Sequence, residues 1–342
     1  MQISTIGLDI AKNVFQVHAV DVAGQVVVRR QLRRSEMLKF FRKLAPCRVG
    51  MEACGTAHYW GRELAALGHD VRLLPASRVK PYVKPGKKND AADAAAILEA
   101  MDRPGMTHVP VKSVEQQAVL MLHRSRDLLV RHRTMLINAI RAHLSEMGFV
   151  ARQGQGGSKE LLALLDDAGD ERVPALVRAA LLPLAGQLRE AEARITAYEA
   201  EIVAWHKGNA ASLRLADIPG IGPITATAIA ASIGDPKRFA SGRQFAAWLG
   251  LVPRQNSSGG KDRLGAITKM GDPYIRRLLV LGATGTIRYA RNTTGKSAWL
   301  DVLLSRKPAR LAAVALANKR ARIAWALLAH GTIYSQTQPA AA

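Results

Sequence analysis

Only two cysteines, Cys47 and Cys54, occur in 342 residues. That scarcity excludes a disulfide framework, and it excludes a zinc module, which needs closely spaced groups of Cys or His. Both thiols read as small buried hydrophobes in a reducing, cytosolic protein. No apolar run reaches 18 residues, and no signal peptide or lipidation motif is legible, so neither a spanning segment nor a membrane partner is expected. The most apolar late stretch, "ARLAAVALANKRARIAWALLAHG", is cut by Lys319, Arg320 and Arg322 and reads as a basic helix. Aromatic residues make up 5%, too few to interleave with the basic residues as stacking platforms. The GxxxxGK[ST] spacing is absent, so ATP has no claim, and no solenoid repeat is visible. Acids are scarce as well: 27 Asp and Glu stand against 49 Lys and Arg, a formal charge of +22 with an isoelectric point near 10.6. A field of that sign favours a polyanion, with nucleic acid first among candidates.

What is present has an order. "ISTIGLDI", "VFQVHAVD" and "QVVVRRQL" read as three strands, the second pair joined by a short turn at Val22, Ala23 and Gly24. A helix is predicted in "SEMLKFFRKLA" with Ser35 as N-cap, then a strand in "RVGMEA", a helix closing on Gly68 and a strand in "DVRLLPA". Three antiparallel strands followed by alternating helices and strands is the α/β order of an RNase H-like (RuvC-like) domain; a flavodoxin-like sheet would alternate from the start. Residues 77–89 read as a basic loop carrying Lys87 and Lys88 and no acid, followed by a helix in "DAADAAAILEAM". A long amphipathic helix follows from Ser113, its polar face carrying Arg124, Arg126, Arg131, Arg133 and Arg141; that face is either solvated or laid along a phosphate backbone. "GQGGS" at 154–158 breaks the pattern. Beyond it Leu181, Leu184, Leu188, Ala191, Ile195, Tyr198, Ile202 and Trp205 form a heptad seam, a coiled-coil candidate between chains or within one. Pro219-Gly220-Ile221-Gly222 resembles the turn of a helix-hairpin-helix module, where backbone N–H groups meet a phosphate; a tight turn with no ligand is the alternative. The organisation predicted is an α/β domain over 1–150, a helical coiled-coil linker over 151–210 and a mostly α-helical domain over 211–342.

Four acids stand out. Asp9 interrupts an apolar strand, Glu52 ends another, and Asp90 and Asp93 lie one helical turn apart. In an RNase H-like sheet the first and fourth strands are neighbours, so Asp9 and Glu52 converge and a following helix can bring Asp90 and Asp93 over the same edge. Taken singly, each acid has an ordinary reading as a helix cap or a strand-end turn former. Taken together they repel unless cations lie between them, and hard oxygen ligands select Mg²⁺ or Mn²⁺. The second constellation is Asn256-Ser257-Ser258-Gly259-Gly260-Lys261. By spacing it reads as a flexible surface loop; chemically it offers a reachable hydroxyl, backbone N–H groups, and Lys261 and Arg263 for phosphate charge.

"IGLDIAKNVFQVHAVD", "MEACGTAHYWGREL", "KNDAADAAAILEA", "IPGIGPITATAIAASIGD" and "RQFAAWLGLVPRQNSSGGKDRLGAITKMGDPYIRRLL" together resemble the DEDD transposases of insertion-sequence family one-ten, subgroup eleven-eleven, kin to the Piv DNA invertase. The match spans nearly the whole chain, with the motifs in the family's order. The resemblance implies a RuvC-like domain, a coiled-coil insert and a transposase domain. It assigns the metal-holding tetrad to Asp9, Glu52, Asp90 and Asp93, and the serine nucleophile to Ser258, with Ser257 as fallback. It further implies recombination of double-stranded donor and target DNA through a phosphoserine linkage, in a tetramer built from dimers that combines acids of one protomer with the serine of another. Guidance by a structured non-coding bridge or seeker RNA, and a bacterial cytoplasmic, nucleoid-associated location, are implied with it. On the residues alone, a metal-only RuvC-like nuclease or junction resolvase and a non-catalytic nucleic-acid-binding protein remain open.

Overall fold

The computed structural model describes residues 2–83, 90–261, 263–291 and 298–335, and the chain divides into two compact units, 1–115 and 116–342. This division differs from the boundary expected at 150, because the long helix that follows residue 113 packs with the helices after it.

In the first unit the strands are β1 (Thr5–Ile10), β2 (Val14–Val20), β3 (Val26–Arg33), β4 (Arg48–Glu52) and β5 (Asp70–Leu74). The helices are α1 (Met37–Phe41), α2 (Ala57–Ala66), α3 (Ala76–Val79) and α4 (Asp90–Met101). The sheet order is β3-β2-β1-β4-β5; β1, β2 and β3 pair antiparallel, and β4 and β5 continue parallel to β1. All five expected strands form. Asp21 closes the β2–β3 turn by accepting from Ala23 N and Gln25 N, both at 2.9 Å, with Gly24 at φ +78°. One face of the sheet buries Ile6, Leu8, Phe15, Val17 and Leu32 against Met37, Phe41, Trp60 and Leu64. Burial of each such side chain stabilises the fold by roughly 1.5–3 kcal/mol.

Two local expectations are corrected. Ser35 is not an N-cap: it lies inside a 3₁₀ turn, Arg34–Glu36, where Glu36 accepts from Arg33 N at 2.8 Å. The basic loop begins as helix α3 and a second 3₁₀ turn, Lys80–Tyr82. Lys87 and Lys88 lie outside the described residues.

The second unit contains α5 (Val114–Glu146, its first two residues in the first unit), α6 (Gln155–Asp166), α7 (Ala175–Gly208), α8 (Ala210–Ala216), α9 (Pro223–Ser232) and α10 (Gly242–Trp248). A β-hairpin of β6 (Pro253–Gln255) and β7 (Leu264–Ile267) follows, then α11 (Pro273–Arg291), α12 (Ala298–Arg306) and α13 (Ala309–His330). The heptad seam of α7 is covered within the chain. Leu181 and Leu188 pack with Leu136, Ile140 and Leu144 of α5 and Leu161 and Leu165 of α6, and Ile195 and Ile202 are buried further along. Among the described residues, two of the five arginines of the α5 basic face are engaged with groups beyond that helix: Arg126 pairs with Glu199 of α7, and Arg141 donates to Arg152 O.

A buried relay ties α5, α9 and α11 together. Thr227 Oγ1 donates to Pro223 O at 2.7 Å and so accepts from His123 Nε2 at 3.0 Å; this leaves His123 Nδ1 to accept from Tyr274 Oη at 3.0 Å. Burial, with Arg126 nearby, brings the His123 pKa down to about 4, so the imidazole is neutral and the tautomer set.

Candidate active site

β1 and β4 pair with Gly7 opposite Gly50 and Leu8 opposite Met51, so Asp9 and Glu52 follow side by side at the ends of their strands. Alternate strand residues share a face, which puts both acids on the same side as the two glycines. Helix α4 crosses that face at very short range. A Cβ on Gly7 would lie 2.1 Å from Ala94 O and 2.8 Å from Leu98 Cβ; one on Gly50 would lie 2.8 Å from Met101 Sδ. The missing side chains therefore let α4 sit almost on the sheet, with Asp93 in its first turn over the strand ends.

The electrostatics register this approach. Burial, and then the negative charge of Asp93, push the Glu52 carboxyl above its ordinary value. The Cys54 thiol, exposed on one side, is raised by partial desolvation and then by the charges of Glu52 and Asp9. Asp9, Glu52 and Asp93 are each half-buried. Asp90 opens α4, but its side chain lies outside what the structure describes. Among the described residues no group of three or more His, Cys, Asp or Glu is arranged to hold a metal ion.

Ser257 and Ser258 lie in the β6–β7 hairpin. Gly259 at φ +56° and Gly260 at φ +74° are consecutive left-handed residues, and Lys261 N donates to Ser258 O at 3.1 Å. Two positive φ values inside such a bond describe a type I′ turn, the two-residue connection whose twist suits a hairpin. The loop is thus an ordered turn with Ser258 as its first residue. Ser257 Oγ accepts from Arg263 N at 3.2 Å, whereas Ser258 Oγ makes no hydrogen bond among the described residues. Residues 253–261 are all exposed, as is Arg263. The root, by contrast, is locked: a Cβ on Gly250 would lie 2.3 Å from Met270 O, and one on Gly271 would lie 1.8 Å from Trp248 O. Arg276 reinforces it by donating to Leu249 O and Met270 O.

Gly220 and Gly222 form the turn before α9, Gly220 at φ +81° and Gly222 as the N-cap residue. Both are exposed, but the turn rests on packed neighbours. A Cβ on Gly282 of α11 would lie 2.0 Å from Gly220 O, and one on Gly220 would lie 2.5 Å from the Arg320 guanidinium of α13. Arg320 is 3% exposed; it donates to Thr286 Oγ1 at 2.6 Å, while its Nη1 has no partner among the described residues. Burial pulls its pKa down to about 10.

Reading the sequence missed three participants. Gly7 and Gly50 set the closeness of α4, and the signal was available as a repeated Gly-x-acid, Gly7-x-Asp9 and Gly50-x-Glu52. Cys54 is the third: only Cys47 is buried, while Cys54 is exposed beside the acids, which corrects the expectation that both thiols are core residues.

Comparison with known proteins matches residues 6–149 to a DEDD family model of the IS110 type, described as a transposase, and residues 212–298 to the model described as "Transposase IS116/IS110/IS902 family". A "probable family 20 transposase" of Pseudomonas aeruginosa is 54% identical over 98% of this chain and 99% of its own length. The "transposase for insertion sequence element IS1111A" of Coxiella burnetii is 41% identical over 97% of this chain and 91% of its own. The corresponding protein of element IS1328 from Yersinia enterocolitica is 39% identical over 98% and 99%. With its acids gathered at one end of a mixed α/β sheet and this similarity running along nearly its full length, the chain belongs to the IS116/IS110/IS902 family of insertion-sequence transposases.

Proposed function

We propose that this transposase cuts and rejoins donor and target DNA with Asp9, Glu52, Asp90 and Asp93 as holders of divalent metal and Ser258 as the attacking group. The observation that carries the reading is the glycine-permitted approach of α4, which brings Asp93 to the strand end bearing Glu52, whose pKa is raised by burial and then by the Asp93 charge. Half-buried carboxylates that repel one another suit a hard divalent cation, and an all-oxygen set favours Mg²⁺, with Mn²⁺ as substitute. Bound there, such ions stabilise charge on the phosphoryl oxygens.

The chain's own residues do the rest. Ser258 Oγ forms a bond to phosphorus as the bond from phosphorus to the departing deoxyribose oxygen breaks; the hydroxyl proton is lost to solvent and the departing oxygen takes one up. Attack on this phosphoserine by the hydroxyl of another strand end returns the serine and joins the strands. Lys261 and Arg263 beside the turn balance phosphate charge, and the Gly220–Gly222 turn contacts backbone phosphate further along. Ser258, whose hydroxyl makes no hydrogen bond among the described residues, is favoured over Ser257, whose Oγ accepts from Arg263 N.

The strand order β3-β2-β1-β4-β5 supports a RuvC-like fold for the first unit, and the proposal continues with a coiled-coil linker over 151–210 and the serine-bearing transposase domain over 211–342. Kinship to the Piv invertase, guidance by a bridge RNA, and a tetramer that pairs the acids of one protomer with the serine of another in the bacterial cytoplasm complete the proposal. It is supported by a charge of +22 with few aromatic residues, which suits recognition of backbone and shape.

Labelled DNA incubated with the protein and Mg²⁺ is expected to give a denaturation-resistant adduct that Ser258→Ala abolishes and Ser257→Ala retains. Cleavage without an adduct would replace this mechanism with that of a metal-only nuclease.

A further inference from the structure

The first unit carries a groove of about 760 Å³ to which the chemistry above gives no role. It falls in the range of small-ligand pockets, roughly 300–1,000 Å³. Its apolar side comes from Val14, Leu38 and Trp60; Tyr59, Arg33 and Arg34 present aromatic and cationic surface around it. Trp60 is 3% exposed, and its Nε1–H has no acceptor among the described residues. The Arg34 guanidinium lies over the Trp60 ring, 5.1 Å from its centroid, with Nη1 donating to Lys12 O at 3.2 Å. Tyr59 meets Trp60 edge-on at 5.0 Å and is 42% exposed. In a chain so poor in aromatic residues, this is a place where exposed and buried rings meet two arginines.

The groove lies at the end of the sheet that carries the acids. Asp9 pairs with Gln16 across β1–β2, and Val14 pairs with Arg33 across β2–β3. Side-chain alternation places Val14 and Arg33 on the same face as Asp9 and Gln16, whereas Trp60 and Leu38 pack with Phe15 on the opposite face, so the groove wraps the end of the sheet rather than lying on the acid face. From Asp9 the groove begins about 7 Å along the strand direction and about 5 Å across it, a separation that a nucleotide or two spans. Tyr59 and Trp60 belong to α2, the helix that follows Glu52 and β4.

The geometry points to a subsite for one unpaired nucleotide of single-stranded DNA: the base stacks on Tyr59 and the Arg34 plane, and Arg33 takes the adjoining phosphate. The positive charge and the ring surfaces select a nucleic acid over a peptide, and adjacency to the acids selects the strand handed to or from the cutting site. The inference rests on the proposed DNA-cutting role of the acid site only for naming DNA as the occupant.

The test is binding by the full chain in a chelator, measured by fluorescence anisotropy with a labelled single strand of about six nucleotides and a duplex of the same sequence. Tyr59→Ala and Arg34→Ala are each expected to weaken single-strand binding by roughly tenfold, Tyr59→Phe to retain it, and all three to leave duplex binding unchanged. Photocrosslinking of the wild-type protein to an iodouracil-containing strand, with the adduct mapped by mass spectrometry, is expected to mark Tyr59 or Trp60 without reliance on any variant's folding. Equal losses for duplex and single strand, no loss, a crosslink confined to residues beyond 115, or an RNA strand that binds more tightly and carries the whole Tyr59 effect would each overturn the assignment. No metal and no cleavage enter the measurement, so a failure of the serine mechanism leaves its outcome legible.

Discussion

Glu52 holds its proton more tightly than an exposed glutamate because its half-buried carboxylate faces Asp93. Across the interval between the ordinary and the raised pKa, the folded chain binds more protons than the unfolded one. Stability therefore falls as pH rises through that interval, and the penalty is complete above it. Glu52→Gln removes the penalty. Its melting temperature is expected to exceed that of the wild type at pH 7–8, by roughly 2–4 °C for each kcal/mol recovered, and to match it near about pH 4. Scanning calorimetry over a pH series checks this, and a variant less stable than wild type at pH 8 would show that Glu52 makes a structural bond instead. The neighbouring thiols illustrate what a residue's own identity leaves open. Cys47 and Cys54 are the same side chain seven positions apart, yet one is buried with its pKa raised to about 11 and the other is exposed beside the acids. The path of the chain after β4 decides which is which.

At the scale of elements, the distance between α4 and the sheet matters most. Gly7→Ala puts a methyl group where Ala94 O and Leu98 now sit, so α4 must move or the sheet must distort. A cost of roughly 1–3 kcal/mol in urea unfolding is expected, with loss of DNA cleavage as Asp93 is displaced. Gly55→Ala, where a Cβ meets nothing within 4 Å, serves as the control and should leave stability unchanged. The strands themselves were legible, since "STIGLDI" and "VVVRRQL" are β-branched or alternating, and the helix from Asp90 to Met101 begins and ends where its alanine-rich pattern predicts. The N-cap at Ser35 was misread because the turn starts earlier: Arg33 is the N-cap residue, its N–H donates to Glu36, and Ser35 is already inside the 3₁₀ turn. The heptad seam of α7 announced a buried stripe without naming its partner. Periodicity records that a face is covered, and only the fold shows α5 and α6 covering its first part, Leu181 to Leu188.

For the whole molecule, a charge of +22 is both an attraction for nucleic acid and a constraint on how sequence is read. Among the described residues no helix is long and apolar enough to cross a membrane. The guide-RNA part of the proposal belongs to this scale. Purified protein is expected to carry RNA, seen as an absorbance ratio that falls after ribonuclease, and recombination of a donor plasmid with a target should fall with it. A nucleic-acid-free, ribonuclease-insensitive preparation that is fully active would remove the guide. The acids were legible as oddities of pattern, one in an apolar strand and one at a strand end. Their convergence depended on strand order, which no local signal carries, and on two glycines whose meaning is the absence of atoms.

The β6–β7 hairpin has one more implication. Its residues from Pro253 to Lys261 are exposed, while Gly250, Gly271 and Arg276 lock its base to the body. Such an arm behaves as a cassette: the segment between the strands' outer ends can be exchanged for that of a relative without disturbing a single core contact, so the turn that carries Ser258 can be transplanted and its properties compared on a constant scaffold.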